Sequence, residues 1–174
     1  MKTIVIVAHP NIAASTVNKR WAAEAEKLGK DVTVHEIYSL YPNWQIDVEK
    51  EQKLLEQYDN IVFQFPLYWY NCPPLLKKYM DDVLAYGWAY GSTGGKLKGK
   101  NFAVAVSAGS PAEIYDGDAS KQGSLASILT PFKCSAEFCG MNYKGFFSVS
   151  GALNIAPEAL ETSAEGYKKF LESL

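Results

Sequence analysis

Residues 61–70 read IVFQFPLYWY. The run Ile61, Val62, Phe63, Gln64, Phe65 is almost wholly apolar. It stops at Pro66 and then presents Leu67, Tyr68, Trp69 and Tyr70. A short β-branched and aromatic run closed by proline predicts a buried strand. Proline has no N–H to give to a ladder, so pairing is expected to end at Pro66. The segment after Pro66 is unusual for a loop, because loops are mostly polar and run over the surface. Three large aromatics just past a strand end either pack inward against the next helix or face a flat ligand. Their place in the fold favours the ligand.

Four further runs have the character of strands: TIVIVA (3–8), VTVHEI (32–37), FAVAVS (102–107) and FFSVSG (146–151). Helical patterns separate them. Ser15 caps a helix over about 16–28 that Gly29 stops, and Asp47 caps one over about 48–57. Pro74 sits in the first turn of a third, about 74–86. A fourth runs from near Pro131 to Gly140. The last starts near Pro157 and turns Leu160, Tyr167, Phe170 and Leu171 toward the core. Residues 38–46 are irregular, 87–100 are glycine-rich, and 108–124 form a long polar loop. Continuous apolar strands imply a parallel sheet covered on both faces. Strands alternating with helices give one α/β domain, a three-layer sandwich with right-handed crossovers. Five strands suit the order 2-1-3-4-5, in which ligands bind beyond the carboxyl ends of strands one and three. Function is therefore expected on the loops that begin at His9, Pro66 and Ser107.

The first loop brings Ser15, Thr16, Val17 and Asn18 to the start of a helix. Its unpaired N–H groups and partial positive charge attract phosphate. The hydroxyls of Ser15 and Thr16, the Asn18 amide and His9 can add donors. Ser15 as a mere cap and His9 as a turn residue is the competing reading. In the second loop, Trp69 and Tyr70 can stack on a heteroaromatic ring while the backbone N–H groups of residues 67–70 bond its polar edge; packing against the third helix is the alternative. The third loop, SAGSPAEIY (107–115), offers Gly109 for close backbone approach and the Tyr115 phenol, or is an ordinary surface loop.

Composition narrows the choice. The chain has 174 residues, with 17 basic against 19 acidic side chains. A net charge of −2 argues against a nucleic-acid surface. Cys72, Cys134 and Cys139 form no C-x-x-C pair, which favours free thiols in a reducing, cytoplasmic setting. With only His9 and His35, no metal-ligand spacing arises; His35, mid-strand, reads as structural. The segment GGKLKGK (94–100) has P-loop spacing but ends on Asn101 and precedes a strand, and no G-x-G-x-x-G follows the first strand.

Taken together, AHPNIAASTVN (8–18), LYPNWQIDVEKEQ (40–52), FQFPLYWYNCPPLLKKYMDDVLAYGWAYG (63–91) and FCGMNY (138–143) resemble the flavodoxin-like NAD(P)H:quinone oxidoreductases. The likeness is greatest to small bacterial members: general-stress NAD(P)H oxidoreductases and the ancillary flavoprotein of a glutathione-gated potassium-efflux channel. The resemblance implies the flavodoxin-like fold and bound FMN, with FAD possible along the same loops. It implies that His9, Ser15, Thr16, Val17, Asn18, Pro66, Leu67, Tyr68, Trp69, Tyr70, Ser107, Ala108, Gly109 and Ser110 line the flavin. It further implies NAD(P)H as co-substrate, ping-pong hydride transfer to a quinone or other aromatic acceptor, and a homodimer with the site at its interface. A membrane potassium-efflux partner is the alternative role. The family often has Thr-Thr-Gly-Gly where this chain has Ser107-Ala108-Gly109-Ser110. Tyr115 matches the family's catalytic loop tyrosine, whose phenol is expected to bond the flavin or the substrate, but no histidine follows it here.

Overall fold

In the computed structural model, residues 1–115 and 123–174 are described; the expected 108–124 loop lies partly outside them. Five strands, β1 (Thr3–Val7), β2 (Val32–Glu36), β3 (Asn60–Pro66), β4 (Asn101–Ser107) and β5 (Asn142–Val149), form one sheet. Its order is β2-β1-β3-β4-β5, every neighbouring pair parallel. Helices α1 (Val17–Glu26) and α5 (Pro157–Glu172) cover one face. Helices α2 (Val48–Leu55), α3 (Pro74–Val83) and α4 (Thr130–Phe138) cover the other. Side chains alternate along each strand as the pleat requires. Ile4, Ile6, Ile61, Phe63, Phe65, Val104 and Val106 face α2, α3 and α4. Val5, Val7, Val62, Ala103 and Ala105 face α1 and α5. Among the described residues, no helix is long and apolar enough to cross a membrane.

The β3 ladder ends at Pro66, as expected, with one further backbone bond beyond it. Pro66 is in register with Ser107, and the Leu67 N–H donates to the Ser107 carbonyl at 2.8 Å. Alternate residues of a strand bond opposite neighbours, so the nitrogen of Pro66 faces β1. The β1 chain makes its last bond there through Ala8 N–H to the Gln64 carbonyl. The missing donor thus points where no partner strand remains. Two boundaries move. Helix α3 ends at Val83, short of the expected 86. Strand β5 starts at Asn142, four residues before expectation, because Gly145 (φ +87°) sits in a bulge that shifts the register against β4.

On the α2/α3 face, Glu51 is fully buried. Its carboxylate accepts from Tyr41 Oη at 2.5 Å and Tyr79 Oη at 2.8 Å, and lies 2.9 Å from His35 Nε2. Burial alone would raise the Glu51 pKa, but the bonds from His35, Tyr41 and Tyr79 hold it below the usual range. This cluster ties β2, the 41–47 segment, α2 and α3 together. His35 is structural, as its place in the strand suggests.

Candidate functional site

The carboxyl ends of β1, β3 and β4 open into a cleft of about 470 Å³, within the size range of small-molecule sites. His9, Ser15, Thr16, Val17, Asn18, Pro66, Leu67, Tyr68, Ser107 and Gly109 all line it. So the three loops do converge.

One end gathers hydrogen-bond donors. Ser15 Oγ accepts from the Asn18 N–H at 3.1 Å, so Ser15 caps α1 and its own hydroxyl proton remains to be given away. The N–H groups of Thr16 and Val17, in the first turn, have no helical carbonyl before them. His9 Nδ1 accepts from the Asn11 N–H at 3.1 Å, which places the ring proton on Nε2. Burial lowers the His9 pKa, so the imidazole is a neutral donor near pH 7.

At the other end Tyr68 lines the cleft, while Trp69 and Tyr70, expected beside it, lie outside its lining. Tyr68 and Asn71 exchange backbone bonds of 2.8 and 2.9 Å around Trp69 and Tyr70, whose φ values are +50° and +60°. This is the pattern of a type I′ turn, normally filled by Asn-Gly. Two bulky residues in left-handed backbone are strained by about 1–2 kcal/mol each. The turn also changes the expected donor set. The Leu67 N–H is used by β4 and the Tyr68 N–H by Asn71. Of the four amides of residues 67–70, the N–H groups of Trp69 and Tyr70 take no partner among the described residues. The Trp69 side chain is 93% exposed beside the cleft, so it does not fill the core against α3.

Between these ends lies a buried amide. Asn18 points inward: its Nδ2 donates to Ser107 Oγ at 2.8 Å, and its carbonyl accepts from Gln64 Nε2 at 2.9 Å. It lines the cleft but spends its side chain on the sheet instead of offering it to an anion.

Ala108 is buried just behind the cleft and Ser110 is outside its lining. Tyr115 ends a short helical turn and lines a separate hollow with Phe146 and Ser148. Cys72 is packed, and burial pushes its pKa up to about 11, so its thiol is inert at neutral pH. Among the described residues, no three metal-ligating side chains cluster. The sequence reading did not single out Asn11, Ala14, Ala152 and Leu153, which complete the lining. A signal for the last two existed: in a parallel sheet β5 must end at the same edge, so the turn after Val149 had to overlie β4.

Residues 1–171 match the family described as flavodoxin-like fold. A curated relative, the uncharacterized NAD(P)H oxidoreductase YrkL of Bacillus subtilis, is 44% identical over 99% of both chains. A solved structure, general stress protein 14 from Treponema denticola in complex with FMN, is 45% identical with a TM-score of 0.92 and covers 99% of each chain. The glutathione-regulated potassium-efflux system ancillary protein KefG of an Enterobacter species is 38% identical over 99% of this chain and 93% of its own.

Proposed function

The chain belongs to the flavodoxin-like family, and on that basis we propose that its cleft binds FMN and that it is an NAD(P)H oxidoreductase acting on a quinone or similar flat aromatic acceptor. The observation that carries this reading is one cleft lined at one end by the donors of the α1 N-terminus and at the other by Tyr68, next to the exposed Trp69–Tyr70 turn. The α1 N-terminus, Ser15, Thr16 and His9 would hold the phosphate. Ser107 would donate further along, and the N–H groups of Trp69 and Tyr70 would meet the polar edge of the ring. When bound, FMN supplies reversible two-electron chemistry that no side chain here can provide. The protein's own tasks are to fix the ring plane, to hold NAD(P)H and then the acceptor in turn against it, and to keep water out.

Tyr68, Trp69, Tyr70 and Leu153 are exposed around the opening. A second copy of the chain covering them would close the site, which supports a homodimer. The free thiols of Cys72, Cys134 and Cys139 suit a reducing, cytoplasmic setting.

The test is direct. Protein purified without added flavin should be yellow, should bleach with NADPH or NADH under anaerobic conditions, and should release FMN on denaturation. Colourless protein that gains no activity with FMN or FAD overturns the reading. Sedimentation should give the mass of two chains.

A second reading comes from the 38% identity to KefG: the flavin site is kept, but the main role is contact with a potassium-efflux membrane protein. Co-purification with such a protein, and efflux activation that survives loss of the redox reaction, would favour it.

A further inference from the structure

Gln64 lies outside the residues that the sequence assigns to the cleft, yet it is fully buried directly beneath them. It projects to the α1 side of the sheet, between Val7 of β1 and Ala105 of β4. Its Nε2 donates to the Asn18 carbonyl at 2.9 Å and sits 3.4 Å from Asn18 Oδ1. Its Oε1 is buried and has no hydrogen-bond partner among the described residues. An orphaned buried acceptor is destabilising, and native proteins rarely keep one without a reason.

The reason lies in the direction of the chain of bonds. Turning the Gln64 amide over would set its oxygen against the Asn18 carbonyl. The donor end must therefore face Asn18, which in turn fixes Asn18 Oδ1 toward Gln64 and Asn18 Nδ2 toward Ser107. Asn18 Nδ2 then donates to Ser107 Oγ at 2.8 Å. With its oxygen accepting from below, Ser107 has its hydroxyl proton to give. No acceptor for that proton exists among the described residues, and Ser107 lines the cleft.

We propose that Gln64 is a positioning residue which, through Asn18, aims the Ser107 hydroxyl proton into the cleft as a donor to the bound ligand. The relay runs Gln64 to Asn18 to Ser107, each donating to the next, an arrangement in which successive bonds polarise one another. It rests on the reading that a flavin occupies the cleft. It goes beyond that reading in naming a buried residue, not in contact with the ligand, that sets the polarity of a contact residue.

The experiment measures the affinity of the full-length chain for FMN and for riboflavin by flavin fluorescence. It compares wild type, Ser107→Ala, Asn18→Asp and Gln64→Met. Asn18→Asp is nearly isosteric but reverses the relay: the carboxylate accepts the Ser107 proton and turns it from the cleft. The expected result is about a tenfold loss for Ser107→Ala, the value of one hydrogen bond. Asn18→Asp should show a parallel loss for each ligand, and Gln64→Met combined with Ser107→Ala should lose no more than Ser107→Ala alone. Loss in Asn18→Asp confined to FMN would mean charge repulsion by the phosphate and would overturn the relay. Additive losses would make Gln64 merely structural and also overturn it. A measurement without flavin separates the two readings. Hydrogen exchange at the Asn18 side-chain amide should be slow in wild type and fast in Ser107→Ala. If wild type binds neither flavin while that amide is protected, the cofactor assignment fails and the donor geometry stands. A freely exchanging Asn18 amide in wild type overturns the relay whatever the ligand.

Discussion

Two of the polar islands buried in this domain are built differently. Around Glu51, every strong bond is closed: one carboxylate meets His35, Tyr41 and Tyr79. Around Gln64, the chain is open: it leaves an acceptor without a donor at one end and a Ser107 proton without an acceptor at the other. The closed island lies among α2, α3 and β2 and joins them. The open one lies under the cleft. A satisfied buried network serves architecture, because all of its bonding capacity is used within the fold. A network that ends on an open donor at a cleft is unfinished until a ligand arrives. The comparison therefore predicts opposite phenotypes. Damage to the Glu51 island should reduce stability and leave flavin binding nearly intact. Damage to the Gln64 island should reduce binding more than stability.

The largest effect is expected from Glu51→Ala. It strands three donors in the interior, a class of change that costs about 3–5 kcal/mol. For a domain of this size that lowers Tm by roughly 10 °C, as thermal unfolding followed by circular dichroism will show. A fall of only a degree or two would mean that the island does not hold the helices to the sheet.

The next effect is the pH dependence of the same group. The folded-state pKa of Glu51 is lowered, so its contribution is fully present above the unfolded value near 4.3 and is lost as pH falls through the folded value. Glu51→Gln cannot titrate there. The stability difference between wild type and Glu51→Gln, from urea unfolding at a series of pH values, should be flat above about pH 5 and shrink below pH 4. A difference that widens in acid would contradict the sign. Glu24 and Glu161, also lowered by ion pairs with Lys27 and Arg20, are common to both proteins and cancel.

The closed island was half-visible in the sequence and the open one was not. His35 in mid-strand signalled a structural partner, but its carboxylate lies sixteen residues on, with helical spacing that marks no particular acid. The strand order and the convergence of three loops were legible, because uninterrupted apolar runs and their alternation with helices admit few topologies. The individual donors were less so. Leu67 and Tyr68 looked equivalent to Trp69 and Tyr70, since nothing in PLYWY shows that the first two amides are taken by Ser107 and Asn71. Asn18 looked like a ligand donor, because the pull of Gln64, 46 residues away, has no local signature. The start of β5 at Asn142 was hidden because the bulge at Gly145 has no signature that separates it from a turn glycine.

An orphaned polar atom does not by itself mark an open site, and Tyr167 sharpens the distinction. Its hydroxyl is also buried without a partner among the described residues, but its ring is fully buried against Trp21 and Phe147. Burial alone pushes its pKa far above the usual range. Removing a hydroxyl that bonds nothing removes a desolvation cost, so Tyr167→Phe should stabilise the protein by about 1 kcal/mol and raise Tm by about 3 °C. Flavin affinity should not change. If Tyr167→Phe destabilised instead, the hydroxyl would have to be meeting a buried water, and Tyr167 would join the closed class.

The smallest effect concerns the open side, at the type I′ turn. Tyr70 has φ +60°, a conformation that glycine adopts without steric cost. Glycine also loses more backbone entropy on folding, which offsets part of the relief, so Tyr70→Gly should raise stability by only about 0.5–1 kcal/mol. A neutral linker would gain from that change and lose nothing. Here the turn is proposed to present the Trp69 and Tyr70 N–H groups, and the aromatic rim, to a flat ring, which is where strained backbone concentrates. Tyr70→Gly should therefore melt slightly higher without flavin, yet retain flavin less well through gel filtration. Higher stability with unchanged retention would separate strain from binding at this turn and leave the amides, not the rings, as its contribution.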